Sequence, residues 1–411
     1  MRKHLRDCTL PPSRHEEVGA IRTVGELSGG QIADYLPTLR ERARESDHRS
    51  RIADETVCDL ARLGVFRMLQ PARYGGAEAE ILSFSEVVRE ISSACGSTGW
   101  LTALFGVHAW HLALFPTAAQ EDVWGAGRDV LLTASYGATG RVVADGSNFR
   151  LRGRWRFASG CLHAGWALLG GQLNAEDGSP QDVSVFLVPM SDLRVELDWD
   201  TVGLRGTGSH NLIAENVLVP GHRMLSFVDC AHCRTPGQEV NRGALYRLPL
   251  PSLLGAAVSV PPIGMALGAY RAQVSWIRDR LDRSWSGLSW NTDDLNSARL
   301  AAAGADIDAS WSQLAEDLRE LTRCAETGGE IPLALRRKVR RDQSVATHRA
   351  ARAVDQFFEH SGGDVLRLGN PVEQAWRNVH AAQLHALNDL DHTLAMYGAG
   401  ELGVSGRHPM V

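Results

Sequence analysis

The chain changes grain twice, at about Leu131 and again at about Leu248. Between those points short apolar runs alternate with Gly, Asp and Asn turns, at residues 131–137, 141–143, 148–153, 155–159, 166–171, 183–188, 194–197 and 211–219. Strands this short and this closely spaced predict a small β-barrel or sandwich. Asp145-Gly146 within it is a two-residue hairpin signal. The flanks read as helices. Residues 31–63 carry an apolar stripe (Leu36, Leu39, Ile52, Val57, Leu60), 83–94 are amphipathic, and 99–115 are almost wholly apolar, which predicts a buried helix. Pro116-Thr117 opens a short helix to Trp124. Residues 252–276 are rich in Gly and Ala, as close helix packing requires, and long helices are predicted over 296–327, 333–358 and 371–397. The expectation is an α+β chain with a loosely held leader at 1–30, an N-terminal helical domain at 31–128, a β-barrel domain at 129–235 and a C-terminal four-helix bundle at 236–411.

Within the β region, residues 152–166 read as strand, turn and strand. Trp155 and Phe157 are two apart and are expected on one face. Gly160 is expected to take a positive φ, which lets a planar ligand approach the main chain. Ser159 is a small hydroxyl at a turn between aromatics, suited to bonding a flat heteroaromatic ring. A β-turn serine in an antiparallel sheet explains the same text.

Charge and cysteine usage exclude several classes. Net charge is -5 and the pI about 6.3, so no basic field attracts nucleic acid. No run approaches the roughly 18 apolar residues of a membrane span. The opening Met1-Arg-Lys-His-Leu-Arg has no apolar core after it, so neither a membrane segment nor a secretory signal is expected. Seven scattered cysteines predict reduced thiols and a cytoplasmic protein. Cys230-Ala-His-Cys233 has no second pair nearby, so a loop with two thiols is expected and no metal site. No Gly-x-Gly-x-x-Gly follows a strand, so no nicotinamide site is expected.

Five pieces of text, in order and spacing, carry a resemblance. They are Leu63-Gly-Val-Phe-Arg-Met-Leu-Gln-Pro71 with Tyr74-Gly-Gly76, Trp155-Arg-Phe-Ala-Ser-Gly160, Gly203-Leu-Arg-Gly-Thr-Gly-Ser209 followed by Val217-Leu-Val-Pro220, His360-Ser-Gly-Gly363, and Trp376-Arg-Asn-Val-His-Ala381. Over roughly residues 30–405 the chain resembles the acyl-CoA dehydrogenase superfamily. Within it, the chain looks like the two-component flavin-dependent monooxygenases, the branch of 4-hydroxyphenylacetate, steroid-phenol and polyketide hydroxylases. Acyl-CoA dehydrogenases commonly place a catalytic glutamate soon after the Arg-Asp near the C-terminus. Here the text after Arg377 has no carboxylate until Asp389, and without a base the α-proton stays in place.

The resemblance implies a reduced flavin, FMN or else FAD, made by a separate NAD(P)H-dependent reductase. It implies dioxygen as co-substrate, a C4a-hydroperoxyflavin, a small phenolic or polyketide-like aromatic substrate of secondary metabolism, and a homotetramer. Ser159 matches the family serine at the flavin N5 position, and His385 the histidine near the peroxide, expected on a helix facing the bundle. His380 and His392 compete with it on helical spacing. His108 matches a histidine at the substrate pocket, where it would accept a phenol proton, with His111 as its competitor. Helix packing explains His108 nearly as well. Ser135 matches a serine that can face the substrate. Trp100, Trp110 and Trp124 suit a flat apolar ligand or simply the core, and Trp110 is placed with the substrate. Trp155, Phe157, Ser159, Ser361, Gly362 and Gly363 form the cofactor set, the last three in a loop that approaches a neighbouring subunit's flavin. Arg205 is expected to order its loop. Other readings are an amine N-oxygenase with the same cofactor, an acyl-CoA dehydrogenase whose base lies elsewhere, and a catalytically silent homologue. The retained Ser159 and histidines argue against a silent protein.

Overall fold

The computed structural model describes residues 29–174, 180–282 and 294–404, so the expected leader at 1–30 lies almost wholly outside the described residues. The first helices are α1 (Gly29–His48), α2 (Asp54–Arg62), α3 (Ile81–Ala94), α4 (Gly96–Leu112) and α5 (Thr117–Trp124). The helix expected over 31–63 is broken after α1. Ser50 takes a φ of 51°, and the Ile52 N–H turns away to the Gly206 carbonyl at 2.9 Å. Helix α4 is the almost wholly apolar one. Every residue in it except Leu104 is buried.

Seven strands follow: β1 (Leu132–Asp145), β2 (Asn148–Ala158), β3 (Trp166–Asn174), β4 (Pro180–Pro189), β5 (Arg194–Glu196), β6 (His210–Pro220) and β7 (Met224–Ser226). They form one mixed sheet in the order β5-β6-β2-β1-β3-β4-β7, with β1 and β3 parallel and the other pairs antiparallel. The β1–β2 hairpin turns at Gly146, whose φ is 60°. Two pairs of expected strands merge into β1 and β2. Register shifts at Ser135/Gly140 and Leu151/Arg152 break the alternation there, and a bulge reads like a turn in sequence.

A third register shift, between Trp155 and Ala158, overturns the expectation that Trp155 and Phe157 share a face. Phe157 has a φ of 63°, so the strand turns over within two residues. Trp155 is fully buried in the sheet's own core beside Leu151, Ala167 and Phe186, and its indole N–H donates to the Gly170 carbonyl at 2.7 Å. Phe157 is 56% exposed, edge-on to Trp199 at 6.0 Å. Trp155 is therefore a core residue and leaves the cofactor set.

The C-terminal part comprises α6 (Phe227–Ala231), α7 (Leu250–Asp282), α8 (Asp294–Glu326), α9 (Leu333–Glu359), α10 (Pro371–Gln383) and α11 (Leu390–Glu401). By length and composition, Leu250–Asp279 of α7 is apolar enough to cross a membrane, contrary to expectation, and 94% of its apolar window is buried inside the protein, in contact with α3, α4, α9 and α10. The helix expected over 371–397 is two, separated by a turn that carries His385. Of the cysteines described, Cys95, Cys161, Cys230, Cys233 and Cys324 are free thiols as expected, while Cys58 is disulfide-bonded.

The bulge predicts a contrast. Trp155→Ala is expected to cost about 3–5 kcal/mol of stability, the usual range for emptying a buried aromatic site, and Phe157→Ala within about 0.5 kcal/mol of nothing. Denaturant unfolding measures both, and equal losses would put the two rings on one face after all.

Candidate active site

Helix α4 brings the candidate residues into one row. Trp100, near its start, lies edge-on to His385 with ring centroids 5.8 Å apart. Leu101 and Phe105 press on the Ser159-Gly160 turn: a Cβ on Gly160 would stand 2.4 Å from the Phe105 ring, and Gly160 has a φ of 71°. His108 then bonds β1 through the Leu132 carbonyl at 2.8 Å. Eight residues of helix separate Trp100 from His108, about 12 Å along the axis.

Ser159 is buried and held on all sides. Its N–H donates to the Phe157 carbonyl at 3.0 Å, its carbonyl accepts the Thr133 hydroxyl at 2.8 Å, and its Oγ lies 2.8 Å from the Ser209 Oγ. The Gly160 N–H donates to the Thr207 carbonyl at 2.9 Å, which ties the turn to the 203–209 loop. That loop is anchored in turn by C-terminal text. Asn378 accepts the Leu204 N–H at 2.7 Å, and Arg377 reaches Asp47, Glu373 and the Val202 carbonyl. Arg205 donates to the Asp47 and Thr201 carbonyls, so it orders the loop as expected.

His385 lies on a turn, not on a helix as expected. Its Nδ1 accepts the Leu387 N–H at 3.2 Å, capping the short 3-10 turn Ala386–Asn388. Arg340 of α9 is buried and donates to the Leu387 carbonyl, holding the turn from below. Burial and then the Arg340 charge push His385 down to about 4. With Nδ1 accepting, the proton of this neutral ring sits on Nε2, which is a donor. His380 is engaged elsewhere, with Asp355 at 2.9 Å and Gln383 at 3.0 Å, and His392 is exposed on α11.

His108 has the opposite tautomer. A carbonyl only accepts, so Nδ1 carries the proton and Nε2 is a bare lone pair. No partner for Nε2 stands among the described residues. Burial pushes His108 down to about 4 and, with a contribution from His108, His111 to about 3. His111 is engaged by the Tyr136 hydroxyl at 2.9 Å and the Cys230 thiol at 3.6 Å. Tyr136 stands edge-on to His108 at 6.1 Å and to Phe227 at 6.2 Å. Ser135 is half-buried and donates to the Arg156 carbonyl at 2.7 Å.

One further expectation changes. Trp110 is fully buried with its indole N–H on the Leu245 carbonyl at 2.9 Å, so it is a core residue. Cys233 donates to the Arg247 carbonyl at 3.0 Å, and Cys230 belongs to the His111 contact, so the two thiols do separate things. Ser361 is buried against Gln273 and the Phe357 carbonyl, while Gly362 and Gly363 are exposed. Sequence reading missed Ser209, Thr207, Thr133 and Tyr136. The first two lay inside a quoted motif, and two hydroxyls in a buried loop were the available signal.

A model of the acyl-CoA dehydrogenase N-terminal domain matches residues 36–127, and one of the C-terminal domain matches residues 256–390. The chain is 43% identical over 376 residues to a flavin-dependent monooxygenase oxygenase subunit, HsaA, of Rhodococcus jostii, covering 92% of this chain and 98% of that protein. The chain belongs to the flavin-dependent monooxygenase oxygenase subunits. An FADH(2)-dependent resorcinol hydroxylase oxygenase component of a Rhizobium species is 32% identical over 97% of this chain and 98% of its own length. Among solved structures, the 3-HSA hydroxylase from Rhodococcus sp. RHA1 superposes with a TM-score of 0.90 at 42% identity, covering 93% of this chain and 98% of that one. The acyl-CoA dehydrogenase-like fold and the two-component monooxygenase branch are thus as expected. As an oxygenase component the enzyme receives its reduced flavin from a separate partner. The position after Arg377, where a dehydrogenase text continues Arg-Asp, is Asn378, whose side chain serves the Leu204 backbone.

A histidine kept neutral by burial makes stability depend on acid. His108 binds a proton more readily unfolded, at about 6.5, than folded, at about 4. Stability is therefore full above about pH 6.5 and falls as pH drops toward 4. From pH 7 to 5 His108 alone is expected to remove about 2 kcal/mol. Urea unfolding at both pH values checks this, and His108→Gln should show the smaller loss.

Proposed function

We propose that this oxygenase component hydroxylates a phenolic aromatic compound held at His108, with reduced flavin held between Ser159 and His385 and dioxygen as co-substrate. The observation that carries the reading is the His108 tautomer. With Nδ1–H committed to Leu132, Nε2 offers a lone pair to a phenol hydroxyl and takes up its proton as the ring carbon gains oxygen. The Ser135 hydroxyl proton is committed to Arg156, so toward a ligand its oxygen is an acceptor. A phenol is also what the resorcinol hydroxylase relative acts on by name.

The residues fit a flavin. Phe157 presents an exposed apolar face beside Ser159, and Gly160 keeps the turn tight against α4. When bound, the reduced flavin supplies the electron pair that lets one atom of dioxygen enter the ring while the other leaves as water. This chain's own residues hold the ring at the Ser159 turn, and they shield the reacting centre with Trp100 and Phe105. His385 keeps an Nε2–H donor in place there. The relative's name supports FADH2 beside the reduced FMN expected from sequence. A cytoplasmic homotetramer fed by an NAD(P)H-dependent reductase completes the proposal, with the exposed Gly362-Gly363 pair facing a neighbouring subunit's flavin.

Single turnovers with anaerobically reduced FMN or FADH2, oxygenated buffer and a panel of phenols test this. Ser159→Ala and His385→Ala are expected to divert flavin electrons to hydrogen peroxide and to lose hydroxylation. His108→Ala should slow hydroxylation by about 100-fold or more. Undiminished hydroxylation in His108→Ala would remove that residue from the chemistry.

A further inference from the structure

The hydroxyls around Ser159 form a chain with only one possible direction. The Thr207 hydroxyl lies 2.8 Å from the Leu204 carbonyl, which can only accept, so the single Thr207 proton is spent there. The Thr207 Oγ1 is also 2.7 Å from the Ser209 Oγ, and having no proton left it must accept, so Ser209 donates to it. Ser209 has then used its own proton, and at its 2.8 Å contact with Ser159 it must accept. Ser159 donates to Ser209, Ser209 to Thr207, and Thr207 to Leu204. The three hydroxyls are buried, which keeps water from reversing the order. The far end is fixed too, because the Leu204 N–H is held by Asn378.

We infer that Ser209 and Thr207 are positioning residues that make Ser159 a hydrogen-bond acceptor toward its ligand and so select the reduced flavin over the oxidised one. The selection rests on the flavin reading of Ser159 proposed above. Its chemistry is simple. The N5 atom of a reduced flavin carries a hydrogen and donates, whereas N5 of an oxidised flavin has only a lone pair and accepts. A Ser159 whose proton is committed to Ser209 satisfies the first and opposes the second lone pair to lone pair. For an enzyme that receives its flavin from a separate component, this polarity admits the charged form and releases the spent one.

The test is binding, without turnover. Affinities for FMN and FAD are measured in both redox states, the reduced ones anaerobically, together with the midpoint potential of the bound flavin. Wild type is expected to favour the reduced form. Ser209→Ala and Thr207→Val each free the Ser159 proton to serve an oxidised N5, so the ratio of oxidised to reduced Kd should fall three- to tenfold, the range of one hydrogen bond. Tenfold corresponds to a bound potential about 30 mV lower. Thr207→Ser restores the chain and should restore the ratio. If Ser209→Ala fails to fold, the Thr207→Val and Thr207→Ser pair decides alone. An unchanged ratio in those variants, with the preference lost in Ser159→Ala, would overturn the chain's role and keep Ser159 at the flavin. A ratio unchanged in Ser159→Ala as well would overturn the flavin reading of the turn and the inference with it.

Discussion

A helix with no polar face has to be enclosed on every side. That is the constraint α4 imposes, and the layout around it follows. Helices α3 and α7 cover two flanks, β1 covers a third, and the Ser159-Gly160 turn is pressed onto Leu101 and Phe105. The contacts that bury α4 are the ones that line up His385, Ser159 and His108. The core that encloses α4 and the row of candidate residues thus share one set of contacts.

Buried apolar surface alone would leave the polar groups of the turn stranded, at a cost of about 1–3 kcal/mol for each orphan. The 203–209 loop removes that cost, supplying the Thr207 carbonyl to Gly160 and the Ser209 hydroxyl, backed by that of Thr207, to Ser159. To do so it takes a contorted path, with Leu204 and Gly208 both at a φ of 51°. Such a path persists where its surroundings over-determine it. Asn378 and Arg377 of α10, and through Arg377 Asp47 of α1, do this. Residues of α1 and α10, far apart in sequence, thus converge on a loop midway between them.

Much of this was legible in the text. The apolar run 99–115 announced α4, Asp145-Gly146 its hairpin, and Gly160 its positive φ. One quoted motif contained Ser159, the five together pointed to the family, and the resemblance in turn implied His385 and His108. What sequence could not carry is the geometry of exceptions. Period-two logic put Trp155 and Phe157 on one face, and a bulge separated them. Helical text from 371 to 397 hid the break at His385, because a histidine capping a single 3-10 turn has no strong signature. Trp110 looked like a ligand platform until its indole N–H was found satisfied inside the core. Direction along a hydroxyl chain is set by which carbonyl ends it, and no spacing rule encodes that.

His108 and His385 are both neutral imidazoles, one presenting a lone pair and the other an N–H. For the first, neutrality has a kinetic meaning. On the role proposed for His108, the phenol proton would leave for Nε2 as the carbon–oxygen bond forms, so that the two events would share one barrier.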